Sequence, residues 1–231
     1  MFYSPNIAFE TVLPEEESQH AVRVLRLQTG DKIDIADGVG GIYKAVITNP
    51  HPKHCEFEIV ESRLEFGKRN FHLHIAIAPT KNMDRLEWFA EKCTEIGIDE
   101  ITPVHCRYSE RKVLKPERIE KIIVSAAKQS LKAYFPKLNP MCSFEEFLQK
   151  HSSGQKFIAH CHESEKTLLQ KTYKNSQDCI VMIGPEGDFS LQEVEEAIQA
   201  GYSPVSLGRS RLRTETAGIV ACHTVVMMND K

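Results

Sequence analysis

At 231 residues, with 41% hydrophobic and 26% charged residues, the chain is long enough to bury one large core or two modest ones, which excludes a disordered or fibrous protein. A net charge of −3 excludes a uniformly basic nucleic-acid binder, and no apolar run approaches the roughly 20 residues that a membrane span needs. Seven cysteines without a CxxC pair suit reduced, mostly buried thiols in a cytoplasmic protein better than a disulfide framework.

Charge is uneven along the chain. Residues 1–66 hold six Lys/Arg against eleven Asp/Glu, so the first segment is acidic. Within it, His20, Arg23 and Arg26 form a basic spot at helical spacing, which fits an RNA contact or an ordinary solvated helix face. DKIDIADG, GIYKAVIT and CEFEIVES follow, alternating or β-rich and separated by Asp37, Gly38, Gly40, Gly41 and Pro50-His51-Pro52. This pattern predicts a small β-rich domain. The polar segment EFGKRN, residues 65–70, marks its boundary, because strands alone give way afterwards to strands alternating with helices.

FHLHIAIAP from Phe71 reads as a strand, and Leu86, Phe89, Ala90 and Cys93 then recur at helical spacing up to Gly97, a helix stop. ITPVHC is a second strand, Pro116 to Tyr134 a helix, KFIAHCHE a third strand and CIVMIG a fourth, apolar throughout as buried parallel strands are. Ser190 with Glu193 forms a capping box opening a helix that ends near Gly201. SPVSLG is the last strand, and Thr214 is placed to cap a final helix with Ile219, Val220, Val225 and Val226 on a buried face. The second domain, residues 71–231, is therefore expected to be α/β.

Two loops each follow an apolar strand, contain glycine and lead into a helix: GPEGDFS, residues 184–190, and LGRSRLRTETAG, residues 207–218. Ligands of open α/β sheets sit at the carboxyl ends of strands, and glycine lets a ligand approach the backbone closely. These two motifs, together with His20 and VLR at 24–26, Lys81, TEIG at 94–97 followed by Ile101 and Pro103, and Gln129, resemble the RsmE family of SPOUT-class RNA methyltransferases along the whole length. The resemblance implies a PUA-like β-barrel domain over residues 1–66, a SPOUT domain whose C-terminal segment threads a trefoil knot, and a homodimer. It also implies S-adenosyl-L-methionine held by Ile183, Gly184, Glu186, Gly187, Leu207, Gly208 and Leu212. The reaction implied is methylation of N3 of a uridine in 16S rRNA of the small ribosomal subunit. Asp188 departs from the family's usual GPEGG.

Methylation at uracil N3 requires aligned donor and acceptor and removal of a weakly acidic proton. Arg213 is the candidate to stabilise charge developing on the base. Glu215 and Glu186 are both candidates to take the proton or face the sulfonium, although Glu215 also suits the first turn of a helix on electrostatic grounds. Arg107 to Lys137 carries nine basic residues against three acidic ones. Arg111, Lys112, Lys115, Lys128 and Lys132 supply a second candidate RNA surface there.

Alternatives of acceptor atom, such as a ribose hydroxyl or a transfer RNA, and a non-catalytic RNA-binding factor with the same fold remain open at this point. No metal is expected. HPKHC at 51–55 lacks a second cluster at zinc spacing, and HCH at 160–162, read as strand, sends its histidines to one face and Cys161 to the other.

Overall fold

The computed structural model describes residues 1–150 and 153–230. The chain forms two compact units, Met1–Lys68 with Val124–Phe135, and Arg69–Ile123 with Pro136–Lys231.

In the first unit, β1 (Phe2–Tyr3), β2 (Lys32–Ala36), β3 (Ile42–Asn49) and β4 (Glu56–Arg63) form one sheet in that order. β1 runs parallel to β2 and the other pairs are antiparallel. Alternation along β3 sends Tyr43, Ala45 and Ile47 inward to Ile33, Ile35 and Phe57, the period-2 pattern of a half-buried sheet. Helix α1 (Glu15–Gln19) runs into a π-helical turn, His20–Val24. That turn stops before Arg26, which takes φ 56. Helical spacing therefore does not relate Arg26 to His20 and Arg23.

The second unit is a parallel sheet with helices on both faces. Its strands are β5 (Leu73–Ile77), β6 (Glu100–His105), β7 (Lys137–Leu138), β8 (Cys142–Ser143), β9 (Gln155–Ala159), β10 (Thr167–Leu168), β11 (Cys179–Ile183) and β12 (Ser203–Ser206). They lie in the order β10-β12-β9-β11-β5-β6-β7, with β8 also on β6, and every pair is parallel. The helices are α2 (Met83–Ile96), α3 (Pro116–Gln129), α4 (Phe144–Lys150), α5 (Leu169–Thr172), α6 (Leu191–Gln199) and α7 (Thr214–Asn229). From Val124 onward α3 belongs to the first unit.

Alternation within the central strands builds two cores. Leu73, Ile75 and Ile77 of β5 and Val181 and Ile183 of β11 face Leu86, Phe89, Cys93, Ala221 and Val225 of α2 and α7. Ala76, Ile158 and Met182 face Phe144, Phe147, Val194 and Ala197 of α4 and α6. Fully burying one such phenylalanine stabilises by about 1.5–3 kcal/mol. Gly218 lets α7 close onto α2, since a Cβ there would lie 2.5 Å from the Phe89 ring.

Several boundaries differ from the sequence reading. The α3 helix ends at Gln129 rather than Tyr134 because the chain turns through Leu131 at φ 56. Strand β9 ends at Ala159, so His160 to His162 form a loop rather than the end of a strand. The final helix is preceded by Arg213 with no side-chain cap. The capping box of Ser190 and Glu193 is present, with Glu193 N donating to Ser190 Oγ at 3.2 Å. Ile219 and Val220 are only partly buried, whereas Gly218, Ala221 and Cys222 join Val225 and Val226 inside.

Candidate active site

The carboxyl ends of β9, β11 and β12 open onto one region of the second unit. A cleft of about 580 Å³ is lined there by residues including His160, Lys166, Gly187, Leu207, Gly208 and Leu212. A second cleft of about 300 Å³ includes Ile183, Gly184, Glu186, Leu212 and Arg213. The two share Ala159, Cys161, Asp188, Arg211, Leu212 and Ala217. All seven residues expected to hold the cofactor thus line one continuous region, from two separate segments of the sequence, 183–187 and 207–212.

Backbone geometry explains why these loops carry glycine. Gly208 sits at φ 131 with no atom within 4 Å of where a Cβ would lie, a conformation that other residues rarely adopt. Gly184 and Gly187 have another reason. A Cβ on Gly184 would come 3.0 Å from the Phe189 ring, and one on Gly187 would come 3.0 Å from the Tyr108 Cβ. These two glycines admit neighbouring protein atoms.

Two side chains fix the loops to each other. Thr214 Oγ1 donates to Gly184 O at 3.0 Å, linking the loop after β12 to the loop after β11. Asp188 adopts φ 67, a left-handed conformation for which aspartate is among the few tolerated non-glycine residues. Its carboxylate accepts from Cys161 N at 2.7 Å and Phe189 N at 2.8 Å, so Asp188 joins the GPEG loop to the loop after β9. His162 Nε2 lies 2.6 Å from Phe189 O, closing the same corner.

The loop after β9 forms a wall that the sequence reading did not assign. Lys166 Nζ donates to His160 O at 2.9 Å and also to His162 O. His160 is buried with neither ring nitrogen hydrogen-bonded among the described residues. Burial, and then the Lys166 ammonium, push its pKa from 6.5 down to about 4. The rule that ligands sit beyond strand carboxyl ends applies to this strand as it does to β11 and β12, and it was the available signal.

The three candidate catalytic residues are placed differently. Arg213 is exposed on the rim of the smaller cleft, with no side-chain partner among the described residues. Glu186 is exposed and accepts from Lys81 N at 2.9 Å. Glu215 is 5% exposed, with Oε1 3.8 Å from Arg85 Nε and Oε2 unpartnered. It does not line either cleft.

The candidate RNA-contacting residues divide between the units. His20 is half-buried with its ring 5.8 Å from that of Phe2, and Arg23 and Arg26 are exposed. Lys128 is paired with Glu17 in the same unit, and Lys132 is half-buried. In the second unit Lys112 and Lys115 are exposed. There Arg111 donates to Thr80 O at 3.2 Å and Lys81 O at 2.7 Å.

Comparison with known proteins gives the same outline. Residues 67–226 match the RNA methyltransferase domain family, and residues 13–60 the RNA methyltransferase PUA domain family. Ribosomal RNA small subunit methyltransferase E of Synechocystis is 30% identical over 208 residues, covering 86% of this chain and 67% of that protein. The crystal structure of a probable rRNA-methyltransferase from Porphyromonas gingivalis superposes with a TM-score of 0.92 at 42% identity, covering 98% of both chains. The ribosomal RNA small subunit methyltransferase E of Neisseria gonorrhoeae, bound to S-adenosyl methionine, superposes at 0.83 with 28% identity, covering 99% of this chain and 97% of that one. With its PUA domain, its parallel α/β domain and its glycine-bearing loops gathered at the carboxyl ends of neighbouring strands, the chain belongs to the RsmE family of RNA methyltransferases.

Proposed function

We propose that this protein transfers the methyl group of S-adenosyl-L-methionine to N3 of a uridine in 16S rRNA of the small ribosomal subunit. The observation that carries the proposal is the continuous cleft at the ends of β9, β11 and β12. Its size falls in the range of small-molecule sites, and the bare backbone at Gly208 suits a ligand held by main-chain groups. Ile183, Gly184, Glu186, Gly187, Leu207, Gly208 and Leu212 would hold the cofactor. When bound it supplies an electrophilic methyl group on a sulfonium.

This chain's residues provide the remaining chemistry. Arg213, on the rim with its guanidinium unpaired, reaches a uracil carbonyl and stabilises negative charge as the N3 proton leaves. Glu186 is open to solvent and accepts that proton more directly than Glu215, which is buried. Glu215 acts beneath the site, where its ion pair orients Arg85. As the N3–C bond forms and the S–C bond breaks, the proton passes to the carboxylate.

A PUA-like unit over residues 1–66 and a methyltransferase unit over residues 71–231 would divide RNA holding from chemistry, with the C-terminal segment threading the trefoil knot of its class. His20, Arg23, Arg26, Lys112 and Lys115 would meet the phosphate backbone directly, whereas Arg111, Lys128 and Lys132 would first have to open their present contacts. The working form would be a cytoplasmic homodimer that needs no metal. In keeping with that setting, no helix among the described residues is long and apolar enough to cross a membrane.

The test is methyl transfer from labelled adenosylmethionine to small subunits lacking the modification, followed by nucleoside mass spectrometry. Formation of 3-methyluridine in 16S rRNA is the expected result. A ribose-methylated product would overturn the acceptor atom, and absence of transfer despite cofactor binding would overturn the choice of RNA.

A further inference from the structure

We propose that Tyr108 is a positioning residue for the acceptor, presenting its ring as a stacking platform for the target base beside the GPEG loop. The inference rests on the uridine methylation proposed above. Tyr108 is 51% exposed, and among the described residues no hydrogen bond or ring contact engages its side chain. Its backbone is held firmly. Ser109 Oγ accepts from Cys106 N at 3.0 Å and Ser109 N donates to Cys106 O at 3.0 Å. On one side of the tyrosine, Arg107 N donates to Glu193 Oε1 at 2.8 Å. On the other, the Arg111 guanidinium donates to the carbonyls of Thr80 and Lys81. The segment is thus fastened to α6 and to the loop after β5, with an aromatic ring left open between the two anchors.

Position ties this residue to the site. Gly187 lines the larger cleft, and a Cβ there would be crowded by the Tyr108 Cβ at 3.0 Å. Tyr108, which lines neither cleft itself, thus packs against a residue of the cleft wall. Proteins that read single-stranded RNA splay bases onto aromatic rings and hydrogen-bond their Watson–Crick edges. Chemistry at N3 requires that edge free of its partner base, so a base displaced from its helix needs a new surface on which to stack. Tyr108 offers that surface on the backbone of the GPEG loop, while Arg213 occupies the rim of the adjoining smaller cleft.

The experiment compares wild type with Tyr108→Ala and Tyr108→Phe on small subunits lacking the modification. Turnover, adenosylmethionine affinity by calorimetry and thermal unfolding are measured for each. If the wild-type enzyme makes no 3-methyluridine, the functional proposal fails first, and this inference with it. With an active wild type, Tyr108→Ala is expected to lower kcat/KM roughly ten- to hundredfold, the scale of one base-stacking contact. Tyr108→Phe should stay within about twofold of wild type, and cofactor affinity and unfolding temperature should hardly move in either variant. Unchanged kcat/KM in Tyr108→Ala, equal defects in the alanine and phenylalanine variants, or a matching loss of cofactor affinity would each overturn the platform role.

Discussion

The hydroxyl of Thr214 donates to the carbonyl of Gly184 across 30 positions of sequence, at 3.0 Å and inside the protein. It ties the first residue of the last helix to the first residue of the GPEG loop, so the two loops that line the clefts form one mechanical unit. Thr214→Val keeps the shape and removes the donor, leaving a buried carbonyl unsatisfied at a cost of about 1–3 kcal/mol. The expected result in denaturant unfolding is a loss of that size, accompanied by weaker adenosylmethionine binding in calorimetry. Thr214→Ser should restore most of both, and an unchanged valine variant would show that the bond fixes nothing.

Asp188 provides the other tie. Replacing it with glycine keeps the left-handed turn and releases Cys161 N. We expect Asp188→Gly to weaken cofactor binding by about tenfold, on the scale of a lost hydrogen bond to a charged group. Asp188→Asn, which keeps an acceptor oxygen, should fall between the two. Isothermal titration of the three proteins decides it.

Close packing at Gly218 predicts a different kind of damage. A methyl group there would stand 2.5 Å from the Phe89 ring, and overpacking of this sort typically costs about 1–3 kcal/mol. Gly218→Ala should therefore unfold at lower denaturant concentration than wild type. Combining it with Phe89→Leu should cost less than the sum of the single changes, because the two residues share one space. Strict additivity in a double-mutant cycle would rule out the contact as the cause.

His160 makes stability depend on pH. Its folded pKa of about 4 lies below the ordinary 6.5, so the native state holds the ring neutral while the unfolded chain protonates it first. The resulting contribution is present in full above pH 6.5 and is lost as pH falls from 6.5 toward 4. Unfolding free energy should decline across that window, and His160→Asn should flatten the decline. Parallel curves for the two proteins would show that other groups are responsible.

Removal of the Arg213 side chain tests the chemistry itself. Arg213→Ala should reduce turnover by roughly a hundredfold, as loss of a group aimed at developing charge does, with little change in cofactor affinity. Single-turnover kinetics at saturating adenosylmethionine gives the measurement. A loss confined to cofactor binding would place Arg213 on the donor side.

Much of this architecture is legible in the residues because period-2 and period-3.6 patterns depend on which side of an element faces a core. The helix α2 follows from its period, β11 from an unbroken apolar run of the kind that strands buried on both faces carry, and the capping box at Ser190 from the spacing of Ser190 and Glu193. Two-residue strands such as β7 and β10 have no period to read, and the end of β9 at Ala159 is hidden because His160 to His162 alternate in chemistry without lying in a strand. At the site, the left-handed backbone of Gly208, at φ 131, is of the kind that glycine itself signals, whereas the crowding of Gly187 by Tyr108 is visible only in the packing. Thr214 illustrates the same limit. Its type and position suit a local cap, and only the fold brings the carbonyl of Gly184 within reach of its hydroxyl.

The cleft's walls come from residues 159–166, 183–188 and 205–217, so no contiguous peptide contains a binding site. Affinity for the cofactor is accordingly a property of the finished fold, and a partly folded chain gains nothing from the ligand. Because such a ligand stabilises the native state alone, by RT ln(1 + [L]/Kd), the cell's supply of methyl donor would also act as a folding chaperone of low molecular weight. Depletion of the donor would then lower the amount of intact enzyme as well as its rate.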